Sequence, residues 1–368
     1  MVIQRITLIP IRIPLIEPFI ISLGPLTHAE NVVVRMESSN GIIGWGECSP
    51  FRTIHGETID TCMTIGTELA SQVIGCAIET PEQLLQSMDK AIYGNTSIKS
   101  AFDIAFHDLL SRQQELPLYR FLGATRKRTL MTDYTVSLAD ISKMKNDALD
   151  IVDKGFTIIK VKLGGNPLED VDRIRAIRNA VGPTIPIRID ANQGWTLAGA
   201  KQALSGLAKM NIQYCEEPLS RWQYRDLPSI RNSTEIPIMS DESCFNEYDA
   251  EKLVELQACD AFNIKLGKSS GMVRANRIAR IARDHAIELQ VGGFLESRLG
   301  FTAAAHFTWS LDETAHIDFD TPLMFSADPV DGGIRYGKHG EISMEDSPGL
   351  GVTLKENAYR TDDCVVIV

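Results

Sequence analysis

No CxxC pair occurs among the seven cysteines of this 368-residue chain. Cys48, Cys62, Cys76, Cys215, Cys244, Cys259 and Cys364 are odd in number and widely spaced. That usage argues against a disulfide scaffold and reads as reduced, mostly buried thiols in a cytoplasmic protein. Positive charge is scarce as well. Lys and Arg number 37 against 48 Asp and Glu, a formal net charge of −11, so no nucleic-acid partner is expected. Long apolar runs are missing too, and no membrane partner is expected. The apolar N-terminus is interrupted by Arg5, Pro10, Arg12, Pro14, Glu17 and Pro18 and shows no secretory core followed by a small-residue cleavage site. Finally, no glycine-rich phosphate loop follows a first strand, which counts against a doubly wound nucleotide-binding sheet.

What is present is ordinary globular material, 44% apolar and 23% charged. The length suits two domains, or a barrel with an attachment. Residues 1 to about 55 read as strands, with Asn40-Gly41 as a hairpin turn between Val-rich and Ile-rich runs. Residues 57–75, 80–92 and 97–114 read as helices. In the last, Ile98, Phe102, Ala105 and Leu109 share one face, Phe106 and Leu110 widen it, and Asp103 and Asp108 fall outside. Residues 1–125 are therefore expected to form an α+β capping domain.

From residue 126 a unit of short apolar strand, polar terminus and helical stretch repeats. Eight strands are expected at 134–136, 157–162, 185–190, 212–216, 238–241, 261–265, 288–291 and 315–318. One unit per 25 or so residues is the spacing of an α/β fold of the (β/α)8-barrel type, here spanning 126–330. The glycine-rich tail, 331–368, is expected to pack back on the N-terminal domain.

Nearly every expected strand ends in a charge: Lys160 and Lys162, Asp190, Glu216 and Glu217, Asp241 and Glu242, Lys265, then Asp318 and Asp320. A barrel brings those ends to one mouth. Asp190, Glu216 and Asp241 form a hard oxygen set suited to Mg²⁺, whereas no histidine stands at these ends to suit zinc. Near a strand end, His316 reads as structural. Lys160 and Lys162 point to one face of their strand. Adjacent ammonium groups and a metal are expected to depress a lysine pKa toward that of a neutral base. Strands two and six are opposed in an eight-strand ring, so Lys162 and Lys265 are expected to face each other across a substrate. A base on each face of one carbon can remove a proton on one side and return it on the other.

The segments KVKLG (Lys160 to Gly164), DANQGW (Asp190 to Trp195), EEP (Glu216 to Pro218), SDES (Ser240 to Ser243) and NIKLGK (Asn263 to Lys268) resemble the muconate-lactonizing subgroup of the enolase superfamily. The resemblance covers the whole chain, with Glu217 where many members carry Gln. It implies that Asp190, Glu216 and Asp241 hold Mg²⁺, that Lys162 and Lys265 are the acid/base pair, and that Lys160 supports Lys162. The DxD of Asp318 and Asp320 is similar to that of dipeptide epimerases, where two aspartates receive the substrate's α-ammonium group. A carboxylate pair is a good cation site. Thr135 and the Gly293 backbone match substrate contacts in those epimerases, and Glu296 is assigned a supporting place. Ala-Glu epimerases resemble this chain but carry an arginine in the loop spanning 15–30. Here Phe19, Leu23 and Gly24 and their neighbours supply no cation. The expected substrate is therefore an Ala-Xaa dipeptide with a small or neutral Xaa, of the D-Ala-D/L-Ala type. Pro50, Phe51 and His55 are expected to line the same pocket. The resemblance also points to a homo-oligomer.

Other chemistries stay open at this stage. Muconate-type cycloisomerisation or o-succinylbenzoate synthesis fits the same site, a Schiff-base aldolase would use a lysine as nucleophile, and a binding protein would use the barrel without catalysis.

Overall fold

Strand alternation decides which way the first sheet faces. In a computed structural model, which describes residues 2–312 and 316–368, β1 (Ile3–Ile21) pairs antiparallel with β2 (Gly24–Ser38), and β2 with β3 (Ile43–Cys48). Ile6 and Leu8 of β1, with Val32, Val34 and Met36 of β2, face one apolar cluster, while Ile9, Ile11, Ile13 and Val33 face another. The sheet is thus apolar on both sides, packed on helices by one face and on the barrel by the other. The expected hairpin is there, with Glu37 opposite Ile43 and Gly41 at φ 81°. Residues 15–30, read as a loop, are instead strand: the β1–β2 ladder continues through Phe19↔Leu26 and Ile21↔Gly24 to a tip at Ser22 and Leu23.

The helical layer is α1 (Ile59–Val73), α2 (Pro81–Ala91) and α3 (Thr96–Gln113). Thr58 and Thr80 open the first two with reciprocal capping bonds. Helix α3 corrects the sequence reading, because Asp103 and Asp108 are buried with its apolar stripe. Asp103 accepts the Met272 N–H at 2.6 Å, and Asp108 accepts from Trp45 N at 2.8 Å and Leu350 N at 2.6 Å. Each carboxylate ties α3 to a segment distant in sequence, which an amphipathic pattern cannot register. Two β3 glycines let α3 lie flat on the sheet. A Cβ on Gly46 would stand 2.0 Å from the Ala101 carbonyl oxygen, and one on Gly44 2.1 Å from that of Ala105.

A short helix α4 (Leu118–Phe121) and strand β4 (Leu130–Met131) lead into the barrel. Its strands are β5 (Tyr134–Val136), β6 (Ile159–Lys162), β7 (Ile187–Asp190), β8 (Ile212–Glu216), β9 (Ile238–Ser240), β10 (Ala261–Lys265), β11 (Glu288–Gly292) and β12 (His316–Ile317), each parallel to the next. Helices α5 (Ile141–Asp153), α6 (Pro167–Val181), α7 (Leu197–Leu207), α8 (Leu227–Arg231), α9 (Glu247–Glu255), α10 (Met272–Asp284) and α11 (Arg298–Ser310) follow strands in turn. All eight expected strands are present; residue 315 of the last lies outside the described residues. Among those residues, β12 and β5 are joined through side chains rather than a ladder. Thr132 Oγ1 accepts the Phe319 N–H at 2.8 Å, and Asp320 accepts that of Thr135 at 2.6 Å.

The tail divides between both halves. Strand β14 (Arg335–Tyr336) pairs with β15 (Glu341–Ser343) and β15 with β4, β13 (Val330–Gly332) pairs with β16 (Val352–Leu354), and only β17 (Val365–Ile367) returns to β1. No helix among the described residues is long and apolar enough to cross a membrane.

Two outcomes follow from this packing. Gly46→Ala is expected to cost about 3 kcal/mol, since backbone rather than a flexible side chain blocks the new methyl; urea denaturation measures it, and a loss under about 1 kcal/mol contradicts the close approach. The second concerns His306, whose Nδ1 accepts the Tyr119 N–H at 2.9 Å and whose Nε2 faces the Leu350 carbonyl. Burial lowers its pKa to about 3. The unfolded chain takes up this proton near pH 6.5, the folded chain does not, so the contribution is complete above about pH 6.5 and is lost as pH falls toward about 3. His306→Gln is expected to flatten the decline of unfolding free energy with acidity across that window; parallel curves for variant and parent contradict it.

Candidate active site

Parallel register collects the strand-end charges. Lys162 lies opposite Asp190 in the β6–β7 ladder, and Asp190 opposite Glu216 in the β7–β8 ladder. Residues at alternate positions share a face, so Lys160 and Lys162 turn inward while Ile159 and Val161 join the outer apolar cluster. Lys162 Nζ lies 2.6 Å from Asp190, Lys160 Nζ 2.7 Å from Glu216 and 3.3 Å from Asp190, and Lys265 Nζ 2.6 Å from Asp241. Lys162 and Lys265 sit on β6 and β10, four strands apart in the sheet order.

The protein's own groups act on Lys160 and Lys265 in two directions. Burial does oppose the charge on Lys160 and Lys265. Asp318, Glu216 and Asp190 outweigh it at Lys160, and Asp241 and Glu216 at Lys265, so both pKa values rise. The sequence reading weighs the neighbouring lysine and a bound metal; the protein groups closest to each ammonium are carboxylates. The same contacts lower Asp190 and Asp241 against the effect of burial.

Several residues of the site escaped the sequence reading. Lys268 is fully buried and donates to the side chain and carbonyl of Asp241 and, at 2.8 Å, to the Asn263 carbonyl. Asn263 Nδ2 donates to Glu216 at 2.8 Å. Both lie in the NIKLGK segment, so the signal was present, but only Lys265 ends its strand. Glu217 accepts from Ser243 and from the Asp241 N–H, and burial pushes it up to about 7. Phe294 covers Lys265, its ring centroid 4.7 Å from Nζ, and stacks edge-on with His55 at 4.5 Å. The His55 Nδ1 accepts the Phe51 N–H at 3.0 Å.

On the far side, Asp318 accepts from Lys160 Nζ at 2.7 Å. Burial works against its charge, but Lys160 and Lys162 hold its pKa below the usual range. For Asp320, burial and then Asp318 push it up to about 7, against the Thr135 hydrogen bonds. Asp133, Asp318 and Asp320 each place one oxygen within 4.8 Å of the others. His316 stays structural in setting: its Nδ1 lies 3.1 Å from Arg188, and burial followed by Arg188 lowers it to about 4.

The capping sheet reaches over this mouth. Ser22 Oγ donates to the Asn192 carbonyl at 2.7 Å, and Leu138 N donates to the Ile20 carbonyl at 2.9 Å. Phe19 stands with its ring centroid 5.9 Å from Lys162 Nζ, Leu23 is 37% exposed at the tip, and Gly24 takes φ 121°. A second bridge comes from Glu47 of β3, which accepts from Ser297 N at 3.0 Å, Ser297 Oγ at 2.7 Å and Gly300 N at 2.8 Å. That carboxylate caps α11 and fixes the segment holding Gly293, Phe294 and Glu296. A Cβ on Gly293 would meet Phe301 at 2.6 Å, so its backbone is pressed against the α11 layer. Glu296 folds onto the Phe294 N–H, and burial pushes it up to about 7.

Asp190, Glu216 and Asp241 are the kind of donor set that suits a divalent cation: all three are fully buried hard donors at the ends of consecutive strands. Counting Glu217 and Glu242 with them gives five carboxylates against Lys162, Lys265 and Lys268, with Lys160 shared between this set and Asp318, and both oxygens of Glu242 are buried without a partner. Burial and Asp241 raise the Glu242 pKa, the direction expected where negative charge is in excess.

Residues 4–123 match the family model described as mandelate racemase / muconate lactonizing enzyme, N-terminal domain, and residues 143–358 match that described as enolase C-terminal domain-like. A D-Ala-D/L-Ala epimerase of Cytophaga hutchinsonii is 53% identical over 353 residues, 95% of each chain. The crystal structure of a dipeptide epimerase from that organism, complexed with Mg and the dipeptide D-Ala-L-Val, is similar with a TM-score of 0.97 at 50% identity over all of both chains. The substrate-liganded L-Ala-D/L-Glu epimerase of Bacillus subtilis follows with a TM-score of 0.92 at 36% identity, over 96% of this chain and 99% of that one. By sequence and by architecture, this chain belongs to the mandelate racemase / muconate lactonizing enzyme family of the enolase superfamily.

Proposed function

We propose that this isomerase is a Mg²⁺-dependent dipeptide epimerase, acting on Ala-Xaa dipeptides whose Xaa is small or neutral, of the D-Ala-D/L-Ala type. The observation that carries the reading is the placement of Lys162 and Lys265 on strands four apart, each beside a carboxylate of the Asp190, Glu216 and Asp241 set. The 53% identity to a D-Ala-D/L-Ala epimerase supports it. The acidic charge and thiol usage suit a cytoplasmic enzyme.

In this reading Asp190, Glu216 and Asp241 hold the metal. Mg²⁺, when bound, supplies Lewis acidity toward the substrate carboxylate, which makes the neighbouring α-proton easier to remove. Asp318 and Asp320 bind the N-terminal ammonium group. The α-carbon of the second residue then lies between the two lysines. One Nζ takes the α-proton, and the other returns a proton to the opposite face. Lys160 keeps Lys162 and Asp318 in register through its own contacts with Asp190 and Asp318. Phe294 and Phe19 shield the two amines from water. Thr135 orients Asp320, and the backbone at Gly293 borders the substrate.

The selectivity for a small or neutral Xaa follows from the β1–β2 tip. Phe19, Leu23 and Gly24 lie where an anionic Xaa side chain would need a cation. An unpaired carboxylate there would be penalised. Cycloisomerase chemistry on the same frame would leave Asp320 without a cationic partner and Asp318 with Lys160 alone.

Incubation of D-Ala-D-Ala or D-Ala-L-Val in D₂O with Mg²⁺ is expected to produce the epimer with one deuterium at the C-terminal α-carbon, and EDTA to stop it. Incorporation that persists in EDTA contradicts the assignment. By calorimetry, Asp241→Asn is expected to weaken Mg²⁺ binding by about tenfold or more; unchanged affinity moves the metal elsewhere. Ala-Glu is expected to turn over about tenfold or more slowly than Ala-Ala by kcat/KM, and equal turnover removes the role given to the β1–β2 tip.

A further inference from the structure

The junction of β12 and β5 holds one acid more than the ammonium reading uses. Asp133, one residue before β5, is fully buried. Its Oδ2 accepts from Arg188 Nη1 at 2.7 Å, whereas its Oδ1 is buried without a partner. A buried acceptor left open in this way is costly unless a donor arrives. One oxygen each of Asp133, Asp318 and Asp320 lies within 4.8 Å of the others. Among the described residues, the cations within ion-pair distance of this trio are Arg188, on Asp133, and Lys160, on Asp318. Lys160 is shared with Asp190 and Glu216. With Lys160 assigned to Asp318, three carboxylates against two cations leave one negative charge over.

We propose that Asp133 is a positioning residue of the ammonium pocket: with Asp318 and Asp320 it creates one surplus negative charge and one open acceptor, which a single primary alkylammonium ion completes. The proposal rests on the reading that Asp318 and Asp320 receive the dipeptide's N-terminus. A monovalent cation with several N–H donors matches a surplus of one. A divalent ion would exceed it and would have to sit beside Lys160 and Arg188. The raised values of Asp320 and Asp133, each caused by burial and then by Asp318, mark the same excess. The substrate class is thereby narrowed to dipeptides with a free amine, as released by peptide-bond hydrolysis. N-acylated amino acids of the same shape are excluded by charge rather than by size.

The test compares D-Ala-L-Ala with its desamino analogue, N-propionyl-L-alanine, on the Mg²⁺-loaded full chain, read by α-deuterium incorporation. In Asp133→Asn and Asp133→Ser, KM for the dipeptide is expected to rise about tenfold or more, with kcat moving less and KM for the analogue within about threefold. The ratio of kcat/KM between the two compounds does not depend on how much enzyme is folded, so a loss of stability does not imitate the effect. Equal losses on both compounds, or none on either, overturn the proposal. If neither variant accumulates, Asp133→Asn is combined with Arg188→Gln, which removes the cation left unpaired. The surplus then stays at one, and the dipeptide preference is expected to match that of the parent; its loss overturns the charge count. A second Mg²⁺ per chain in calorimetry, abolished by Asp133→Asn, overturns the proposal in favour of a metal site. A parent enzyme that prefers neither compound defeats the underlying ammonium reading instead, a result distinct from all of these.

Discussion

Lys160 joins the two halves of the site. Its Nζ lies 2.7 Å from Glu216 and 2.7 Å from Asp318, with Asp190 at 3.3 Å, inside a barrel that gives it almost no water. A buried ammonium is tolerated only when carboxylates surround it. Of those carboxylates Asp190 is also held by Lys162, and Asp241 nearby is held by Lys265 and Lys268. The mouth of the barrel is therefore dense in paired charges, several of them with more than one partner. Such pairing fixes side-chain positions closely, and proton transfer between two faces of one carbon needs that.

The excess of acids over lysines gives this pairing its direction. Around Asp241 the surplus calls for a cation of high charge density, and around Asp320 for a weaker, hydrogen-bonding one. A dipeptide is complementary to both, with a carboxylate at one end and an ammonium group at the other. The capping sheet completes the frame, since Glu47 anchors the Gly293 to Ser297 segment while Ser22 and Ile20 dock the β1–β2 tip on the barrel. Cap and barrel thus meet through the Ser22 and Glu47 side chains and one backbone hydrogen bond, Leu138 to Ile20.

Much of this was legible in the sequence, for definite reasons. Barrel strands are short apolar runs that end in charge, so Lys162, Asp190 and Glu216 could be placed before any coordinates. The parallel ladder adds only their register. What escaped depends on contacts between distant segments. Asp103 and Asp108 fall outside the apolar stripe of α3, and the stripe does not register that they accept backbone N–H groups from residues 272, 45 and 350. Residues 15–30 carry two prolines and a glycine and read as a loop, yet they pair as strand with a register shift between Pro14 and Phe19. The closeness of Lys160 to Glu216 and Asp318 also depends on contacts between distant segments, and the Lys160–Lys162 spacing does not register it. Asp133 precedes its strand and carries no motif, so nothing in the sequence marked it.

The central claim is that Lys162 and Lys265 serve opposite faces of one α-carbon. Stereochemically resolved exchange tests it most directly: each epimer of an alanyl dipeptide is incubated in D₂O with Lys162→Ala and with Lys265→Ala, and α-deuterium is read in recovered, uninverted substrate. The account predicts that neither variant inverts the centre, and that each still exchanges the α-proton of one epimer only, the two variants choosing opposite epimers. Exchange of the same epimer by both variants, or inversion by either, would contradict it.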